Sequence, residues 1–504
     1  MRRAIGLVVV ALVMLAVVPV LVLPGAVGAD DPVVEEWVAR YDGPASNYDS
    51  ASAIAVDGSG NVYVTGISHV SGTDSDYATI KYNPDGNQLW VARYDGPAGD
   101  TDSAKAIAVD GSGNVYVTGQ SRGSGTEEDY ATIKYDRDGK QVWVARYDGP
   151  VNGNEAAVDL AVDGSGNVYV TGWSFGSGTS ADYATIKYDP EGDELWVARY
   201  DGPPSDWDGA LAIAVDGTGN VYVTGQSRGS GTGDDYATVK YGPDGNELWV
   251  ARYDGPANGN EAAVDLAVDG SGNVYVTGFS QGSGTGWDYA TIKYGPDGDK
   301  LWVARYDGPA SDWDVAWDVA VDGSGNVYVT GGSRGTGTGN DYATIRYDSD
   351  GDEVWVARYD GPQSWSDTGR AMAIDGSGNV YVTGGSFGSG TSADYATIKY
   401  DPEGNEQWVA IYDGSASKMD FSLAIALDSS GNVYVTGVSD GVGTSGDYAT
   451  IKYSPPPPVG GTIVPTDKLG LVMPWIMAGA LIVAAGVSLA LWNRKRGGER
   501  ASGR

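Results

Sequence analysis

Apolar and polar positions alternate along this chain in short runs, and turn residues punctuate the runs at fixed places. Ala104–Val109 alternates small and larger residues, Asp110-Gly-Ser-Gly113 reads as a turn, and Val115–Thr118 is β-branched and aromatic. A loop rich in glycine, serine and threonine follows, then Tyr130–Tyr135, a turn at Asp136-Arg-Asp-Gly139, and Val142–Tyr147 closing on Asp148-Gly-Pro150. Period-two runs bounded by Asp, Gly and Pro predict four short antiparallel strands in a meander, A to D. Helical periodicity competes nowhere in the unit.

The unit repeats. Asn-Val-Tyr-Val-Thr-Gly begins at Asn61, Asn114, Asn167, Asn220, Asn273, Asn326, Asn379 and Asn432, every interval being 53 residues. Asp-Tyr-Ala-Thr and Trp-Val-Ala recur with the same period. A lone four-stranded sheet cannot bury both of its faces, so the sheets must cover one another, and radial packing does this while leaving only short edges. The expected fold is therefore all-β, an eight-bladed β-propeller of four-stranded antiparallel blades. In the innermost strand, Ala51, Ala53 and Ala55 are expected on one face and Ile54 and Val56 on the other, so that small residues of one blade receive large ones of the next. Asp159, Asp265 and Asp318 replace alanine at the second of those positions.

The phase of the repeat predicts how the ring closes. The propeller opens with a solitary D strand at Trp37–Tyr41, runs through seven complete units, and ends with A, B and C only, at Ala424–Tyr453. Pairing the orphan D strand with the terminal A–B–C fragment completes the eighth blade and removes the free sheet edges.

The hallmark Ala53-Ile-Ala-Val-Asp57-Gly-Ser-Gly-Asn61-Val-Tyr63-Val-Thr-Gly66 resembles the bacterial SBBP-type propeller repeat, over about residues 33–453. The resemblance implies a propeller on an exported protein and transfers no catalytic residue. The run Asp136-Arg-Asp-Gly139-Lys-Gln-Val-Trp143 also resembles part of the tryptophan-docking motif of eight-bladed quinoprotein dehydrogenases, which implies a Trp wedged between blades. Gly242 and Gly295 replace the leading Asp in two copies, and the motif's threonine is absent, so the resemblance is a poor guide to a quinone.

The ends carry a different pattern. Arg2 and Arg3, an apolar stretch Ala4–Leu23 and a small-residue Val27-Gly-Ala29 read as a secretory leader, residues 1–29. Leu471–Trp492 holds 22 residues without a charge, about 33 Å as a helix, enough to span a bilayer. Arg494, Lys495 and Arg496 follow it, so the positive-inside bias puts residues 493–504 in the cytoplasm and the propeller, 30–453, outside. The Pro/Gly-rich segment 454–470, with Pro455–Pro458, reads as a stiff spacer with a flexible joint.

Charge and composition then narrow the chemistry. Residues 30–466 hold 24 basic and 65 acidic side chains, a net −41 that repels nucleic acid and anionic lipid. With no cysteine and only His69, thiol chemistry and Cys- or His-based metal clusters are excluded. Aspartate runs such as Asp244-Gly-Asn246 and Asp348-Ser-Asp-Gly-Asp352 resemble fragments of calcium loops, but they are also what a hairpin turn demands.

One column just before strand A is acidic in every copy: Asp49, Asp102, Glu155, Asp208, Glu261, Asp314, Asp367 and Asp420. It is expected to circle the mouth of the central channel, either accepting backbone hydrogen bonds or sharing Ca²⁺ as a cation ring. Two columns at the B–C loops vary in chemical type and contain Arg122, Trp173, Phe175, Arg228, Phe279, Arg334 and Phe387. Trp207, Trp313 and Trp365 lie in the D–A loops, which open on the same end. Aromatic and arginine side chains on rigid supports suit a recognition surface.

The leading expectation is a monomeric, membrane-anchored, non-enzymatic propeller that binds an envelope protein or glycan through this face. A purely structural envelope component and a calcium- or quinone-dependent enzyme are the alternatives. No catalytic residue is expected, nor any cofactor beyond a candidate Ca²⁺.

Overall fold

A computed structural model describes residues 33–455, apart from 46, 71–73, 179, 389–391 and 417. The expected leader, membrane span and basic tail lie outside the described residues, as does nearly all of the spacer. Among the described residues no helix is long and apolar enough to cross a membrane.

Eight four-stranded antiparallel sheets form the propeller. Strands A to D of blade 1 are Asp49–Val56, Val62–His69, Ser75–Tyr82 and Gln88–Tyr94; those of blade 2 are Asp102–Val109, Val115–Arg122, Glu128–Tyr135 and Gln141–Tyr147. Blades 3 to 7 repeat the plan as far as Tyr412. Blade 8 takes strands A to C from Asp420–Leu427, Val433–Asp440 and Gly446–Ser454, and its outer strand from Val34–Tyr41. The closing pair runs from Val34 opposite Ser454 to Tyr41 opposite Tyr448, with one register shift between Glu35 and Trp37.

Strands B and C run further than the sequence suggests. Arg122, Phe175, Arg228, Arg334 and Phe387 end strand B and pair with the first residue of strand C, instead of lying in the loop. Ladder hydrogen bonds hold these serine- and glycine-containing ends extended despite weak local propensity.

The innermost strand also differs from a simple alternation. In blade 1 its register slips between Ala51 and Ala53, a β-bulge that leaves Ser52 over. The slip returns Ala51 to the same face as Ile54 and Val56, and all three pack on the blade 8 side with Val62, Val64 and Tyr448. The bulged position supplies Lys105, Leu211, Trp317 and Arg370 to the lining of the central channel.

Each interface is one repeat laid on the next. Tyr63 and Tyr77 of blade 1 enter a core with Ala104, Val115, Val117 and Ile133 of blade 2. The Tyr77 hydroxyl donates to Ala131 O at 3.2 Å, and Lys81 Nζ donates to Arg137 O at 3.1 Å. The Trp90 indole donates to the same carbonyl at 3.1 Å. Gly139 has φ +83°, and a Cβ there would lie 2.6 Å from the Trp90 ring, so glycine is needed both for the turn and for the wedge. The same contacts close the ring, from Tyr448 to Ala78 O at 3.1 Å and from Trp37 to Pro84 O at 3.0 Å.

Candidate functional site

Three places gather chemistry that the repeat alone does not require: the loop face, the channel and the blade junctions.

On the loop face, aromatic residues from different segments meet. Phe279 at the end of strand B lies 4.7 Å, centroid to centroid, from Trp287, which lies 4.5 Å from Trp313 in the following D–A loop. Trp173 and Trp207 are 6.3 Å apart, and Trp365 and Phe387 are 5.6 Å apart. Trp313 is 57% exposed and Trp365 59%. Phe175 is half-buried against Gly153 of the neighbouring D–A loop. The arginines are less free than their column suggests: Arg122 pairs with Glu127 at 2.8 Å and Asp100 at 3.3 Å, and Arg228 with Asp234 at 3.3 Å. Arg334 is exposed, and its backbone amide donates to Asp314. Trp287 was not among the expected residues, although its own column, the first of strand C, also varies between copies.

The channel holds a cavity of about 340 Å³ whose lining includes Lys105, Asp159, Asp265, Trp317, Asp318 and Arg370. The Arg370 guanidinium sits 4.0 Å over the Trp317 ring. Each aspartate ties its strand to the next blade's innermost strand: Asp159 accepts from Ile213 N at 3.0 Å, Asp265 from Val319 N at 2.9 Å, and Asp318 from Met372 N at 2.6 Å. Burial pushes the Asp159 carboxyl up to about 7, and Asp265, which hydrogen-bonds Asp318, well above the usual range.

The acidic column lies elsewhere than the channel mouth. Asp49, Asp208, Asp314, Asp367 and Asp420 have no exposed surface, and Asp102 has 1%. Asp49 accepts from Gly43 N at 2.7 Å and His69 N at 2.9 Å, bridging the D–A connection to strand B of blade 1. Backbone amides do donate to Asp49, but from the D–A connection and strand B instead of the start of its own strand, and the picture of carboxylates circling the channel is corrected: past the bulge, the first residue of strand A points into a blade junction. Five of these carboxylates meet two others there, in the triads Asp42–Asp49–Asp447, Asp76–Asp95–Asp102, Asp129–Asp148–Glu155, Asp182–Asp201–Asp208 and Asp235–Asp254–Glu261, with ligand oxygens within 4.8 Å of one another.

An arginine attends each of these triads. Arg146 donates to Tyr94 Oη of the preceding blade at 2.9 Å, to Ser121 O at 2.6 Å and to Asp129 Oδ2 at 2.7 Å. The turn aspartates behave as turn formers. Asp136 accepts from the amides of Asp138 and Lys140, and Asp348 from those of Asp350 and Asp352, each at 2.9–3.0 Å.

A closed ring of eight blades cut from a single tandem unit defines the protein class as a repeat β-propeller. The chain carries the SBBP β-propeller repeat: the family model described as Beta-propeller repeat matches residues 36–71, 92–125 and 407–443. An uncharacterized WD repeat-containing protein of Acanthamoeba polyphaga mimivirus is 24% identical over 497 residues, 78% of this chain and 33% of that one. The regulatory protein FlaEY of Caulobacter vibrioides is 30% identical over 173 residues, 29% of this chain and 17% of its own length. The chain thus spans a third or less of these relatives. Among solved structures, the propeller domain of the Trilobed protease from Pyrococcus furiosus aligns with TM-score 0.41 and 11% identity, over 71% of this chain and 97% of that one.

Proposed function

We propose that the chain is a non-enzymatic binding propeller, displayed outside the cell on a C-terminal anchor, which engages an envelope protein or a glycan through the face formed by its D–A loops and strand B ends. The observation that carries this reading is the Phe279–Trp287–Trp313 stack, whose outer ring is 57% exposed. Large aromatic surfaces on rigid supports give contact area at little entropic cost, and indole faces suit both sugar rings and protein anchors. The net charge of the region before the anchor steers the reading away from nucleic acid and anionic lipid.

The test is a glycan array and a binding assay against purified envelope proteins, with the whole chain and a Trp313→Ala/Trp365→Ala variant. Binding by the parent, lost at least tenfold in the variant at unchanged melting temperature, is expected. No ligand on either panel, or equal binding by both chains, would sink the proposal.

A further inference from the structure

We propose that the carboxylate triads at the blade junctions are calcium sites, each ion riveting one blade to the next, with Asp129–Asp148–Glu155 and Asp235–Asp254–Glu261 the clearest. This is separate from the loop-face reading and does not depend on it.

Four observations converge on a cation. First, Glu155 is 0% exposed and Glu261 1%, yet Oε2 of each has no hydrogen-bond partner, and neither has the buried Asp129 Oδ1 in the first triad. Leaving a buried carboxylate oxygen without a donor is costly, and natural folds rarely do so unless something else fills the role. Second, one carboxylate oxygen of each triad is held by an arginine: Arg146 donates to Asp129 Oδ2 and Arg252 to Asp235 Oδ2, at 2.7 and 2.9 Å. With all three ionised, three carboxylates beside one guanidinium leave two negative charges, which a divalent cation balances.

Third, the space is a cradle of oxygens. A Cβ on Gly149 would collide with Ser174 Oγ and Glu155 Oε1 and would reach Phe175 O, and a Cβ on Gly255 would collide with Ser280 Oγ and Glu261 Oε1. Glycine at these points leaves carboxylate and hydroxyl oxygens facing one small volume, at whose edge the hydroxyls of Ser174 and Ser280 also accept from Arg199 at 2.9 Å and Arg305 at 2.8 Å. Fourth, the donors are hard oxygens only. That set suits Ca²⁺, which accepts irregular all-oxygen shells, better than Mg²⁺, which holds its waters and demands octahedral geometry; zinc would want nitrogen or sulfur.

The geometry also explains why each site joins blades. Asp129 belongs to strand C of blade 2, Asp148 to the connection leaving it, and Glu155 to the entry into blade 3, where it accepts from Phe175 N at 3.3 Å. An ion held by all three fixes the angle between neighbouring blades.

The experiment uses the full-length chain in detergent, stripped with chelator and dialysed against Ca²⁺. Several ions per chain are expected, with a rise in melting temperature by mass action. The isosteric Glu155→Gln/Glu261→Gln variant should bind two fewer, and its β circular dichroism should be unchanged. Should the double variant not fold, Glu155→Gln alone carries the test as one ion fewer. No binding at millimolar Ca²⁺, the same count in parent and variant, or equal stabilisation by Mg²⁺ would each overturn the proposal.

Discussion

Replacing Arg40 by alanine attacks the one seam of the ring that no covalent bond crosses. The guanidinium donates to Tyr412 Oη at 3.0 Å in blade 7, and to Ser439 O at 2.7 Å and Asp447 Oδ2 at 2.8 Å in blade 8. It thereby holds Val34–Tyr41 against two blades. Removing one partner of a buried ion pair costs about 3–5 kcal/mol. The Arg40 side chain is 25% exposed and that of Asp447 only 6%, so water rescues part of the loss. The expected cost is about 2–3 kcal/mol after that discount. Because this outer strand can leave without unfolding the other blades, the loss should appear as local opening. Its open population should rise roughly 30- to 150-fold, at tenfold per 1.4 kcal/mol. Native-state hydrogen exchange of the Val34–Tyr41 amides reads this directly. Arg40→Lys keeps the charge but not the fork and should fall between the two. Exchange unchanged in Arg40→Ala would refute both the closure energetics and the role given to this side chain.

Two further tests follow from departures within the repeat. Ile411, 46% exposed, stands at the strand D position that carries Arg40, Arg93, Arg146 and their counterparts elsewhere. Ile411→Arg should bring a guanidinium within reach of Ser386 and Tyr359 and raise stability by about 1–2 kcal/mol, read as a higher urea midpoint at constant slope. The second concerns pH. Asp159 is raised to about 7 by burial and by the charge of Asp265, against the donated amides of Ile213 and Leu160, and its ordinary value is 3.8. The folded state therefore holds a proton that the unfolded state releases, and stability should fall as pH rises from about 4 through 7. Asp159→Ala, the residue found at this position in blades 1, 2, 4, 7 and 8, should flatten that slope over the same window. An identical pH profile in parent and variant would disprove the assignment.

Much of the fold was legible because the repeat states it eight times. Turn chemistry at Asp57-Gly-Ser-Gly60 and the β-branched Val62–Thr65 fix the hairpin locally, and the missing fourth strand at Ala424–Tyr453 announces the closure. The β-bulge at Ser52 was not legible, since nothing in Asp49-Ser-Ala-Ser-Ala distinguishes an extra residue from a regular one. That single slip is why the acidic column entered the junctions instead of the channel, and why the channel lining went unnoticed. A signal was present nonetheless: the bulged column reads Ser52, Lys105, Val158, Leu211, Val264, Trp317, Arg370, Leu423, more varied than any position beside it. Aromatic contacts such as Phe279 with Trp287 depend on which strand ends face one another, and only the register supplies that.

The phase of the closure also decides how the ring would bear tension. The chain leaves the propeller at Ser454, the end of a strand flanked on one side by Val433–Asp440 and on the other by Val34–Tyr41. Were the last strand an outermost one, a pull on the chain beyond it would peel one ladder of hydrogen bonds a rung at a time. Here the pulled strand has a ladder on each side, and drawing it out along its own axis must break both ladders together. A tether attached past Ser454 would therefore load the blade in shear, the direction in which a sheet yields last.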